Sequence, residues 1–223
     1  MRKDRPSRAA LFQRTMLSGT IHLRDHPSLT RFINWQLRRE QIDDKVTVDE
    51  IEELLRVSFL GIRPYFTAQG ADGSMAYTPP PDYRNEQRFQ MTFPSGAVMS
   101  GFIDLLLLWP DRAVCIDLKS QAKKFPRDEL PSNVQAAIYQ LATFREHGFI
   151  PTVDFILVRH APTAKTIDKH LQRVLPSSET TLSGLIQYID RIYLDINKMT
   201  FEQALVHPHE DFWFCYRICT PYP

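Results

Sequence analysis

The sequence predicts an α/β fold, a central sheet with helices packed against it. Three runs that read as strands, residues 86–93, 98–108 and 113–119, follow one another at hairpin distance. A fourth apolar run, 152–159, returns only after a helical segment, and an amphipathic segment precedes all four. The order is therefore αβββαβ, with helical extensions at both ends.

Ser28 is placed to cap a helix whose Leu29, Phe32, Ile33 and Leu37 recur at three-and-four spacing, so residues 1–46 read as a helical region. Thr47-Val-Asp-Glu50 is a capping box, and Val48, Ile51, Leu54, Leu55 and Phe59 make the apolar stripe of the helix it opens. That helix is expected to stop near Gly61. Between Gly61 and Asn85, Gly70, Gly73 and Pro79-Pro80-Pro81 read as loop, because proline cannot continue a helix or a central strand.

Phe89, Met91 and Phe93 alternate with polar residues, as a half-buried strand requires, and Pro94-Ser95-Gly96 turns the chain. Trp109-Pro-Asp-Arg112 joins the next two strands with proline and aspartate where a type I turn accepts them, which makes a β-hairpin. A helix is expected from Pro131-Ser132-Asn133 to His147, ended by Gly148, and a longer one over 178–198 on Leu182, Leu185, Ile186, Ile189, Ile192 and Ile196. No repeat or linker divides the chain, so a single domain over 1–223 is expected, with its core at 47–160 and C-terminal helices at 177–223.

Composition narrows the classes that remain. With 43% hydrophobic residues in 223, the chain has the make-up of a folded domain, not of a disordered or low-complexity one. Its 27 basic and 26 acidic side chains leave a net charge of +1, but the charge is sorted along the chain. Residues 40–53 hold seven acids against Lys45, while 119–127 hold Lys119, Lys123, Lys124 and Arg127 with no acid. Residues 159–173 add Arg159, Lys165, Lys169 and Arg173 against Asp168, and the two basic stretches suit a phosphate-bearing partner. Three cysteines make no disulfide framework, and the basic start carries no apolar stretch, so a cytoplasmic protein without a membrane is expected.

The hairpin carries the chemistry. If Leu108 faces Ala113 across the turn, the register brings Asp104 opposite Asp117, with Lys119 on the same sheet face as Asp117. Two carboxylates within an otherwise apolar pair of strands repel unless one is protonated or a cation joins them. A divalent ion fits this arrangement; the alternative is an ion-pair cluster without chemistry.

Gly101-Phe-Ile-Asp104, then Asp117-Leu-Lys119, then Gln135-Ala-Ala-Ile-Tyr139 on the following helix resembles the PD-(D/E)xK nuclease superfamily, and within it the RecB-like exonuclease branch. The resemblance implies a restriction-endonuclease-like core, a mixed central sheet flanked by helices. It implies a metal-dependent DNA nuclease of recombination, repair or phage replication, most simply an exonuclease. A structure-specific endonuclease and a catalytically silent DNA-binding subunit are the alternatives. By position it makes Asp104, Asp117 and the Leu118 carbonyl ligands of Mg²⁺ or Mn²⁺, gives Lys119 the attacking water, and turns Gln135 and Tyr139 toward the site.

A further N-terminal ligand is implied. His22, in Ser18-Gly-Thr-Ile-His22, is the candidate, one residue short of the usual spacing, with His26, Glu50, Glu52 and Glu53 as alternatives. Lys123, Lys124, Arg127, Arg159 and Lys165 are expected to hold DNA phosphates. Some relatives carry an iron–sulfur cluster on four cysteines; this chain has three, so no cluster is expected. The resemblance places the protein in the cytoplasm of a bacterial or phage-infected cell and leaves a repair or recombination partner and an oligomer open.

Overall fold

A computed structural model describes residues 7–20, 30, 31, 33, 48–120, 124–159 and 168–199. Helix α1 spans Arg8–Ser18, opened by the Ser7 hydroxyl, which accepts from the Ala10 N–H, and closed by Gly19 at φ 70°. Helix α2 covers Val48–Ile62 and passes into a short 3₁₀ turn, Arg63–Tyr65. It ends one residue past Gly61, close to the expected stop. A Cβ on Gly61 would stand 2.5 Å from Ile156 Cγ2, so the glycine also lets the helix lie close on the sheet.

The stretch expected to be loop is partly ordered as strand. Thr67–Gln69 (β1) and Met75–Tyr77 (β2) pair antiparallel, and β3 begins at Asp82, four residues before the start expected at 86. The three prolines stand between β2 and β3, where no ladder hydrogen bond is required of them. Then come β4 (Val98–Leu108), β5 (Ala113–Ser120), helix α3 (Val134–His147), β6 (Thr152–Arg159), β7 (Asp168–Val174) and helix α4 (Glu179–Lys198).

The main sheet has the order β3-β4-β5-β6-β7, with β5 and β6 parallel and the other neighbours antiparallel. The parallel step needs a crossover, which α3 supplies, capped by the Asn133 side chain and terminated by Gly148 at φ 77°. Strand β7 extends the expected core by one edge strand. Helices cover both faces. One core gathers Phe89, Met91, Ile103, Leu106, Cys115, Tyr139, Leu141, Phe155 and Leu182 under α3 and α4. The other gathers Met16, Val57, Phe66, Leu105, Leu107, Ile116 and Ile156 under α1 and α2.

The membership of these cores shows a break in β4. Leu105 and Leu107 lie in one core and Leu106 in the other, as alternation requires, yet Ile103 lies with Leu106, three residues away. Residues three apart on a regular strand face opposite ways. Strand β3 breaks at the same step, since Arg84 and Gln87 both reach Glu146 on α3. The register is kept on both sides of the break, Asn85 opposite Leu105 and Gln87 opposite Ile103. The residues that absorb it are Glu86 and Asp104.

Candidate active site

Strand β5 alternates Ala113 and Cys115 into one core and Val114 and Ile116 into the other, so Asp117 follows the first pair toward α3. It is 2% exposed. One carboxylate oxygen, Oδ1, accepts from Gln135 Nε2 at 2.9 Å and from the Tyr139 hydroxyl at 3.1 Å, and Gln135 Nε2 also donates to that hydroxyl at 2.8 Å. Gln135 and Tyr139, one turn apart on α3, work as one clamp. The other oxygen, Oδ2, makes no hydrogen bond, and its charge is met by Lys119 Nζ at 2.9 Å.

Asp104 comes in from β4. The ladder of paired residues between β4 and β5 runs from Leu108–Ala113 to Leu105–Ile116. At the next step Asp104 Oδ2 accepts from the Leu118 backbone N–H at 2.9 Å instead. The carboxylate thus takes over the role of a strand partner, which ties its position to β5. Burial, reinforced by the charges of Asp117 and Glu86, holds the Asp104 carboxyl above the ordinary range, while the Leu118 N–H and Lys119 pull it down. Burial and then the Asp117 charge push the Tyr139 phenol up, so it stays a hydrogen-bond donor. Cys115, beside Asp117 in sequence, is not part of this chemistry. Its buried thiol meets Thr143 Oγ1 at 3.3 Å and is pushed up to about 12.

The structure therefore brings together Asp104, Asp117, Lys119, Gln135 and Tyr139, with Leu118 between Asp117 and Lys119 on β5 and 42% exposed. Among the described residues no three His, Cys, Asp or Glu side chains stand together as a ready-made ion cage. The donor set still suits a hard divalent cation: two carboxylates, one with a buried oxygen that makes no hydrogen bond. His22 and His26 lie outside the described residues. Glu53 is committed to Arg56 on its own helix, at 2.6 Å, which holds its carboxyl below the usual range.

Of the expected phosphate-holding residues, Lys124 and Arg127 lie exposed between β5 and α3. That segment is pinned by Gln172, which accepts from the Phe125 N–H at 2.9 Å and donates to its carbonyl at 2.8 Å, while the Phe125 ring packs on Phe155. Lys123 and Lys165 lie outside the described residues, as does the Arg159 side chain. Arg173 is a correction: its guanidinium donates to both oxygens of buried Asp154, at 2.7 and 2.8 Å, and the Tyr65 hydroxyl donates to the same carboxylate. It balances a buried charge and is not available as a free phosphate contact.

A five-stranded mixed sheet flanked by helices, with an Asp from one strand beside an Asp-Leu-Lys on the next, defines a nuclease of the restriction-endonuclease-like layout. The family model of the PD-(D/E)XK nuclease superfamily matches residues 13–221, and the chain belongs to that superfamily. No curated protein matches it in sequence. Among solved structures it is similar to the "Putative exonuclease" from Eubacterium rectale, at 14% identity and a TM-score of 0.47, covering 99% of this chain and 78% of that one. It is also similar to SSO0001, at 14% identity and a TM-score of 0.36, covering 97% and 98%. No helix among the described residues is long and apolar enough to cross a membrane.

Proposed function

We propose that this chain is a Mg²⁺- or Mn²⁺-dependent DNA nuclease, an exonuclease that hydrolyses phosphodiester bonds of linear DNA, working as a single domain in the cytoplasm. The observation that carries the reading is the Asp117 carboxylate, buried, clamped on one oxygen by Gln135 and Tyr139, and left without a hydrogen bond on the other, beside Asp104 and Lys119. Asp104, Asp117 and the Leu118 carbonyl would hold the ion. When bound, it supplies Lewis-acid stabilisation of the charge that develops on the phosphate oxygens.

The chain's own residues do the remaining work. Gln135 and Tyr139 hold one oxygen of the Asp117 carboxylate and leave the other beside Lys119, which removes the need to reorganise the group during reaction. Lys119, held at 2.9 Å from Asp117, orients the attacking water and stabilises the pentacovalent phosphate as the water oxygen bonds to phosphorus and the bond to the leaving oxygen breaks. The attacking water gives up a proton to solvent, and the leaving oxygen takes one from it, so the step balances. Lys124 and Arg127 hold backbone phosphates without reading sequence, joined in this proposal by Lys123, Arg159 and Lys165.

Purified protein incubated with end-labelled linear DNA and closed circular DNA tests the reading. Metal-dependent release of nucleotides from linear DNA alone is the expected result, silenced by EDTA. Nicking of circles would replace the exonuclease with an endonuclease, and no turnover with either metal would remove the enzymatic reading.

A further inference from the structure

The outer half of the β3–β4 hairpin is bare on one face. Phe89 and Met91 on β3, with Met99 and Ile103 on β4, pack under α3 and α4. Period-two alternation therefore turns Arg88, Gln90 and Thr92, and opposite them Phe102, Ser100 and Val98, to the other face. The core under α1 and α2 takes Leu105 and Leu107 from β4 and, among the described residues, nothing earlier in that strand. Phe102 is accordingly 56% exposed and Val98 61%. Leu118, 42% exposed, follows Val114 and Ile116 on the same face of the neighbouring strand, so apolar surface continues to the strand that carries Asp117 and Lys119.

The charge on this face has one sign. Arg88 stands directly opposite Phe102, and residues 87–103 contain no acid. The Arg88 guanidinium makes no hydrogen bond or ion pair with a described residue. An unpaired guanidinium beside an exposed ring on a bare sheet face suits a chain that alternates phosphates with flat, unstacked bases. Closed duplex DNA does not offer those base faces, because its bases are stacked inside. Phe102 stands two residues from Asp104, whose carboxylate is tied to the Leu118 N–H, so a strand lying on this face adjoins the reactive end of β4 and β5.

Resting on the metal-nuclease reading above, we infer that this face binds the substrate as single-stranded DNA, with Phe102 stacking a base and Arg88 meeting a phosphate. The test uses the full chain in EDTA, so that no strand is cut, and reads by fluorescence anisotropy the binding of labelled oligo-dT and of a duplex closed by hairpins at both ends. Phe102→Ala is expected to weaken oligo-dT binding roughly 5- to 150-fold, the effect of losing one stacked base, and to leave closed-duplex binding unchanged. Phe102→Tyr keeps the ring and is expected to keep the affinity. Arg88→Ala is expected to reduce the log–log salt slope on oligo-dT by about 0.7. Unchanged melting by circular dichroism is expected in all three variants and separates lost binding from lost fold. Wild-type oligo-dT affinity in Phe102→Ala, or an equal loss on closed duplex, would overturn the platform and leave the nuclease reading intact. Oligo-dT binding that depends on Phe102, in a wild type with no Mg²⁺- or Mn²⁺-dependent turnover, would remove the nuclease reading and keep the platform.

Discussion

Asp117 is the residue on which most of the site converges, and its neighbours are ranked by how they touch it. Asp117→Asn keeps the shape and the Tyr139 contact but removes the charge, so cleavage is expected to fall by roughly 10²–10³-fold or more, with folding unchanged by circular dichroism. Tyr139→Phe removes the 3.1 Å bond to Asp117 and the hydroxyl that accepts from Gln135 at 2.8 Å, but Gln135 keeps its own bond to Asp117, so a much smaller loss, about tenfold or less, is expected in the same assay. Asp104 gives a stability prediction with a definite sign. Its carboxyl is held above the ordinary range, so between the ordinary and the raised value the folded chain binds more protons than the unfolded one. Stability of the metal-free protein then falls as pH rises through that window, and the full penalty stands above it. Asp104→Asn removes the penalty: its melting temperature is expected to exceed wild type at neutral pH and to match it near about pH 3, where both carboxyls are protonated. The site residues were legible in the sequence because a four-residue turn with Pro110 and Asp111 fixes the pairing of β4 with β5.

At the scale of elements, the packing of α2 on β6 depends on the missing side chain of Gly61. Gly61→Ala adds a carbon 2.5 Å from Ile156 Cγ2 and is expected to destabilise the fold by roughly 1–3 kcal/mol despite the better helix propensity of alanine. Ile156→Ala in the same chain removes the clashing carbon, so the double variant is expected to cost less than the two single changes added together in denaturant unfolding. Sequence patterning placed the helix end near Gly61, one residue before the observed end, but the close approach to Ile156 leaves no local signal in the sequence. Strand β7 escaped notice for a related reason. Asp168-Lys-His-Leu-Gln-Arg-Val174 carries too few apolar residues to show alternation, and it forms an edge strand paired on one side to β6. What anchors it is polar: Arg173 to Asp154, and Gln172 to the Phe125 backbone. Such pairs join residues far apart in sequence and leave no local period to read.

Across the whole molecule, a net charge of +1 gives no general attraction to nucleic acid, so affinity has to come from local groups. The segment after β5, pinned through Phe125, leaves Lys124 and Arg127 exposed, while Arg173 is held in its pair with Asp154. Lys124→Glu with Arg127→Glu is therefore expected to weaken DNA binding at low salt and to flatten its salt dependence by about 0.9 in log–log slope for each lost phosphate contact on duplex DNA. Arg173→Ala should act differently, destabilising the fold by about 3 kcal/mol through the uncompensated Asp154 and leaving the salt slope unchanged. The central claim is that the cluster around Asp117 makes this fold a metal-dependent nuclease. The direct measurement is the rate of Mg²⁺-dependent degradation of end-labelled linear DNA by wild type and Asp117→Asn at matched DNA occupancy. Robust turnover by wild type, loss of it in the variant and silence of both in EDTA is the predicted result. Equal turnover by the two proteins, or turnover that persists in EDTA, would contradict it.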